Sequence, residues 1–74
     1  PAAIERVPVR SSNIASVGYR AADSTLEVEF KSREVYQYMD VPYHVYDSFI
    51  KADSVGSFFS TEIRNQYKMI HLDN

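Results

Sequence analysis

Val35-Tyr36-Gln37-Tyr38-Met39-Asp40-Val41-Pro42 is the stretch on which the fold of this chain turns. Tyr36 and Tyr38 stand two residues apart, so in an extended backbone they share one face. Val41-Pro42 ends that extension, because proline has no N–H for a ladder and holds its predecessor away from helical geometry. The same proline suits the first position of a following helix, where its missing donor goes unused. The stretch therefore predicts a strand handed over to a helix, with two tyrosines on one side. Which side depends on the turn before it.

Upstream, Leu26-Glu27-Val28-Glu29-Phe30-Lys31 alternates strictly, sending Leu26, Val28 and Phe30 inward and Glu27, Glu29 and Lys31 outward. If Ser32-Arg33 is a two-residue loop, Tyr36 opposes Glu29 and Tyr38 opposes Glu27, on the charged face. A three-residue loop slips the register and moves both tyrosines to the Leu26 side. Ser-Arg is poor chemistry for the primed turns, which need positive φ. The two-residue register is the expectation, and the slipped one its alternative.

Before that hairpin, Ile14 to Tyr19 predicts another strand, with Gly18 marking a bulge or a close backbone approach. Ser11-Ser12-Asn13 is turn chemistry, and Pro8 makes residues 1–10 an extended arm or edge strand. Beyond Pro42, Val45, Tyr46, Phe49 and Ile50 form one helical stripe. Ser54 opens a second helix with Val55, Phe59 and Ile63 on its apolar side, and Asn65 suits a left-handed cap. Tyr67, Met69 and Ile70 read as an extended tail packed back on the domain. The sum is one α+β domain over residues 1–74. It is a three-stranded antiparallel β-meander, about 13–20, 25–31 and 34–40, with two C-terminal helices, about 42–52 and 54–64, on one face. Residues 1–8 and 71–74 are expected to be flexible arms.

At 74 residues the core is small, and with no cysteine neither disulfide nor thiolate metal site reinforces it. Six tyrosines and four phenylalanines supply the large side chains that such a core needs. No apolar run approaches the roughly 18–20 residues of a membrane span, so a cytoplasmic protein is expected. A net charge of −2 argues against non-specific polyanion binding. The charge is uneven: residues 1–20 carry +2, residues 21–50 carry −4, and the remainder balances.

Ser12-Asn13-Ile14, Gly18-Tyr19, Leu26-x-Val28-x-Phe30, Tyr36-x-Tyr38, Val41-Pro42, Ser54-x-Gly56 and Ile63-Arg64 occur in that order. Together they resemble the KTSC domain, named for its place at the C-terminus of some lysyl-tRNA synthetases and found in stand-alone bacterial and phage proteins. The likeness runs from about Pro8 to Tyr67. It implies a short domain with a central Tyr-x-Tyr and, from the synthetase context, RNA binding. This chain departs from the pattern in three places: Arg20 stands where Asp is expected, Ser32-Arg33 where Asn-Gly is usual, and Asn65 where Gly is common.

Two binding functions follow. In the first, a non-catalytic RNA-binding accessory module stacks bases on Tyr36 and Tyr38 and holds phosphates with Arg10, Arg64 and Lys68. Ser12 and Asn13 add hydroxyl and amide groups to that set. In the second, a small phage- or prophage-encoded module binds a protein or a small ligand and has no nucleic-acid role. Against both stands the reading that the tyrosines are core residues and Ser11 to Asn13 merely fix a turn. Catalysis is not expected: His44 and His71 lack metal-ligand spacing, nothing around Glu27 and Glu29 suggests a pocket, and no phosphate loop is present. No cofactor or metal is called for.

Overall fold

The computed structural model describes residues 3–72. A five-stranded antiparallel sheet runs in sequence order: β1 (Arg6–Pro8), β2 (Ile14–Arg20), β3 (Thr25–Phe30), β4 (Val35–Tyr38) and β5 (Met69–Leu72). Helix α1 (Tyr43–Lys51) follows β4, then α2 (Val55–Phe58) continues into a π-helical turn, Phe59–Ile63. The α+β class, the antiparallel meander and the two C-terminal helical segments stand as read from the sequence. The strand count does not: the sheet has five strands, not three.

One extra strand falls in residues 1–10, read as an extended arm or edge strand, and the other in the expected extended tail. Arg6–Pro8 pairs with Gly18, Val17 and Ser16. Pro8 is tolerated there because β1 is an edge strand with one neighbour. At the other end Tyr36 lies opposite His71 and Tyr38 opposite Met69, so β5 closes the edge that β4 leaves open. Met-Ile-His-Leu has no polar–apolar alternation and only four residues, too little period to mark a strand. Residues 1, 2, 73 and 74 of the expected arms lie outside the described residues.

The hairpin between β3 and β4 overturns the two-residue register. Phe30 N–H donates to Glu34 O at 2.9 Å and Arg33 N–H to Phe30 O at 2.9 Å, leaving Lys31-Ser32-Arg33 as the loop. Arg33 has φ 80°, the single left-handed residue such a loop requires. A two-residue type I′ loop needs two such residues, and neither Ser nor Arg favours that region. Val28 therefore opposes Tyr36 and Leu26 opposes Tyr38, so the tyrosines lie on the core face.

That face meets the helices. Ile14, Val17, Leu26, Val28, Tyr38, Val41, Phe49, Val55, Phe59 and Ile63 form the buried core, with Val45, Tyr46 and Ile50 against it as the α1 stripe predicts. Ser54 caps α2 by accepting from Ser57 N–H at 3.2 Å, and Asn65 takes φ 65° as Gln66 N–H closes on Ile63 O at 3.0 Å. Val55, Phe59 and Ile63 are spaced by four, which overshoots a 3.6-residue turn. The wider π turn, closed by Arg64 N–H to Phe59 O at 2.8 Å, takes up that surplus and brings all three onto the core. Among the described residues no helix is long and apolar enough to cross a membrane.

The opposite face of the sheet is mixed, with Ser16, Glu27, Glu29 and Gln37 beside Val35, Ile70 and Leu72. Glu27, expected to be solvated, is only 5% exposed, because Arg6 and Gln37 close over it from the flanking strands. Gly18 fulfils its predicted role: a Cβ there would overlap the Glu5 carbonyl oxygen and lie 2.7 Å from Ile4 Cγ2. The sheet's irregularity falls between Ile14 and Ser16 instead.

Candidate binding cleft

The register that turned Tyr36 and Tyr38 inward places them in the wall of a cleft of about 860 Å³. It opens between the β3–β4 hairpin, the start of β5 and the π turn. Four rings interlock along the wall. Phe30 meets Tyr36 edge-on at 5.7 Å and Phe59 at 5.4 Å, and Phe59 meets Tyr38 edge-on at 5.7 Å. Edge-to-face pairs of this kind favour fixed geometry over sliding. On the outer side Tyr36 stacks on the His71 ring at 4.5 Å, and His71 Nε2 lies 3.7 Å from Glu34 Oε2. Tyr67 and Met69 complete the apolar lining.

Tyr38 is 5% exposed, yet its hydroxyl has no hydrogen-bond partner among the described residues. Tyr19 makes the contrast, donating to Val41 O at 2.6 Å. No fully buried side-chain polar atom is left unsatisfied among the described residues, so the Tyr38 oxygen must reach the cleft that its ring lines. Burial, helped by Tyr36, raises its pKa above the ordinary phenol value, while the positive charge of Arg64 pulls the other way. The group is a neutral phenol at neutral pH, able to donate.

Arg64 lines the same cleft because the π turn ends there, and Lys31 lines it from the hairpin loop. Neither has a carboxylate partner within 4 Å among the described residues. Glu34, the one acid of the lining, is turned to His71 and to the Ser32 hydroxyl at 3.3 Å.

Of the residues expected from sequence, Tyr36, Tyr38, Ser12, Asn13 and Arg64 come together here. Arg10 lies in an adjoining cleft of about 590 Å³ against the first turn of α2, which shares Ser12, Asn13 and Ser60 with the first. Lys68 lines neither. Ser11 and Asn13 also build the expected turn. The Ser11 hydroxyl donates to Asn13 Oδ1 at 3.0 Å and accepts from the N–H groups of Asn13 and Ile14, both at 3.3 Å. Among the described residues no group of three His, Cys, Asp or Glu side chains is placed to hold a metal. Sequence reasoning missed Phe30, Lys31 and Phe59 as lining residues. Phe30 and Phe59 carry the same signal as plain core, and Lys31 was read as an outward strand residue.

A five-stranded sheet and two helical segments, with an aromatic cleft between them, define a small α+β domain. Comparison with known proteins gives it a family. The KTSC domain profile matches residues 10–67, so the chain belongs to the KTSC domain family. It is 38% identical over 64 residues to an uncharacterised protein of Stutzerimonas stutzeri, spanning 86% of this chain and 90% of that one. It is 32% identical over 65 residues to a protein of Tsukamurella paurometabola, spanning 88% and 97%. The crystal structure of a KTSC domain protein from Yersinia pestis superposes with a TM-score of 0.92 at 35% identity, over 96% of this chain and all of that one.

Proposed function

We propose that this protein is a non-catalytic module that binds a small molecule with a flat apolar body in the Tyr36–Tyr38–Phe59 cleft. The observation that carries this reading is the cleft itself. Its volume of about 860 Å³ falls in the range of small-molecule sites, and four interlocked rings form its wall. Such sites pair an apolar lining with a few polar groups, here the Tyr38 hydroxyl, Asn13 and Arg64. Titrating the ¹⁵N-labelled protein with 2-naphthamide, an uncharged flat probe, and with its charged analogues tests it. Amide shifts centred on Tyr36, Tyr38 and Phe59 with at least one probe are expected. Their absence with every probe contradicts the reading.

RNA binding is a second reading, supported by the way the two clefts join at Ser12, Asn13 and Ser60, with Arg10 beside one and Arg64 beside the other. The tyrosines, turned inward, offer no open stacking platform. An unstacked base would have to enter the aromatic cleft while Arg10 meets a neighbouring phosphate. Titration with a single-stranded RNA oligonucleotide at rising salt discriminates, since each phosphate contact steepens the fall of affinity with salt. No binding at low salt removes this reading.

A further inference from the structure

We propose that the ligand of this cleft is an oxyanion carried on a flat apolar body, with the anionic group held between the Tyr38 hydroxyl and the Arg64 guanidinium. The inference rests on the binding reading above and adds the sign of the charge. Tyr38 supplies the first argument. Its ring is sunk in the core and its oxygen, without a hydrogen-bond partner among the described residues, reaches the cleft as a donor. An oxyanion is the acceptor that uses such a donor best.

The second argument is the local charge. The protein as a whole is acidic, at −2. The cleft nevertheless gathers Arg64 and Lys31 without ion-pair partners among the described residues, against one described acid, Glu34, which accepts from the Ser32 hydroxyl. A cationic ligand would meet two like charges against that one carboxylate. A neutral one would leave the Arg64 guanidinium partly desolvated with nothing to bind. An anion meets the fork of a guanidinium, whose geometry fits carboxylate and phosphate alike. Arg64 and Tyr38 line the same cleft, and the positive charge of Arg64 acts on the phenol. The rings of Phe30, Tyr36 and Phe59 are then left to flank the apolar body.

The test holds shape constant and changes charge. The intact chain is titrated with 2-naphthoate, 2-naphthyl phosphate, 2-naphthamide and 2-naphthamidinium, each followed by amide shifts at the cleft. At least one oxyanion is expected to bind about tenfold or more tightly than the amide, as hydrogen bonds to a charged group imply. The better of the two identifies the oxyanion as carboxylate or phosphate. R64Q should remove that preference, bringing oxyanion affinity to the level of the amide, and Y38F should reduce oxyanion affinity severalfold. Both are conservative changes, one at an exposed residue and one losing only an unpartnered hydroxyl. Equal affinity for the amide, or tighter binding of the amidinium, overturns the charge assignment and leaves the cleft reading standing. Absence of cleft shifts with all four probes overturns both.

Discussion

Arg6 Nη1 lies 2.7 Å from Glu27 Oε2, although β2 separates their strands. The residue between them in the cross-sheet row is Gly18, paired with Arg6 on one side and Glu27 on the other. With no side chain at that point the guanidinium crosses the strand and the Glu5 backbone settles over it. Gln37 Nε2 donates to the other Glu27 oxygen at 2.9 Å, so the carboxylate is held from both sides. Ser16 donates to Glu29 at 2.8 Å in the neighbouring row.

This arrangement predicts that G18A is destabilising by about 1–3 kcal/mol, because the new methyl must displace Glu5 and with it the strand that carries Arg6. R6A should cost about 1–3 kcal/mol by leaving a nearly buried carboxylate with Gln37 alone. In urea unfolding the double variant should fall short of the sum, since both changes remove the same ion pair. Full additivity would mean that Gly18 and Arg6 act independently.

The hairpin makes a prediction of opposite sign. Arg33 sits at φ 80°, where a Cβ is disfavoured by about 1–2 kcal/mol. R33G should raise stability by up to about 1 kcal/mol, the greater freedom of glycine in the unfolded chain offsetting the rest. The midpoint of urea unfolding reads it directly. A loss of stability would show that the contacts of the Arg33 side chain outweigh its backbone strain.

The register itself is open to test through the tyrosines. Tyr38 packs into the core and Tyr36 is half-buried beside Phe30 and His71. Y38A should therefore cost about 3–5 kcal/mol, and Y36A clearly less. Near-neutral effects at both positions are what the two-residue loop, with its tyrosines on the charged face, would give.

Much of this fold was legible because local signals agreed with the final packing. Leu26 to Phe30 alternates cleanly, Ser54 caps a helix, and Phe49 lies on the stripe that meets the sheet. Of the short edge strands, the first was legible only as an arm or edge strand around Pro8, and the last only as an extended tail. Arg6–Pro8 and Met69–Leu72 are held by their neighbours, and strands of three and four residues carry almost no period of their own. The hairpin register depended on one backbone angle at Arg33, and a one-residue slip exchanges the two faces of a strand. For the same reason the candidate residues Tyr36, Tyr38 and Arg64 could be named from sequence while their grouping around Phe59 could not.

The phenols carry a pH prediction. Burial raises the pKa of Tyr38 above the ordinary phenol value of 10.0, and Tyr46 is raised in the same way with Tyr43 adding to the effect. A group whose folded pKa lies above its unfolded value contributes its full stability below the unfolded pKa. That contribution is lost as pH rises through the folded value, so stability should fall as the solution is taken above about pH 10. Y38F should flatten part of that decline. Because Arg64 works against the shift, R64Q should move Tyr38 ionisation still higher, as read by phenolate absorbance. Unchanged titration in R64Q would separate the two groups and weaken the site.

The most direct measurement is of intermolecular NOEs between bound 2-naphthoate and the protein's aromatic rings. The protein has a competing aromatic cluster at Tyr19, Tyr43 and Tyr46, where Tyr19 stacks on Tyr46 at 5.2 Å and Tyr43 is exposed. NOEs to the ring protons of Tyr38, Phe59 and Phe30 are the predicted result. NOEs to Tyr43 and Tyr46 alone would place binding at that cluster and contradict the cleft.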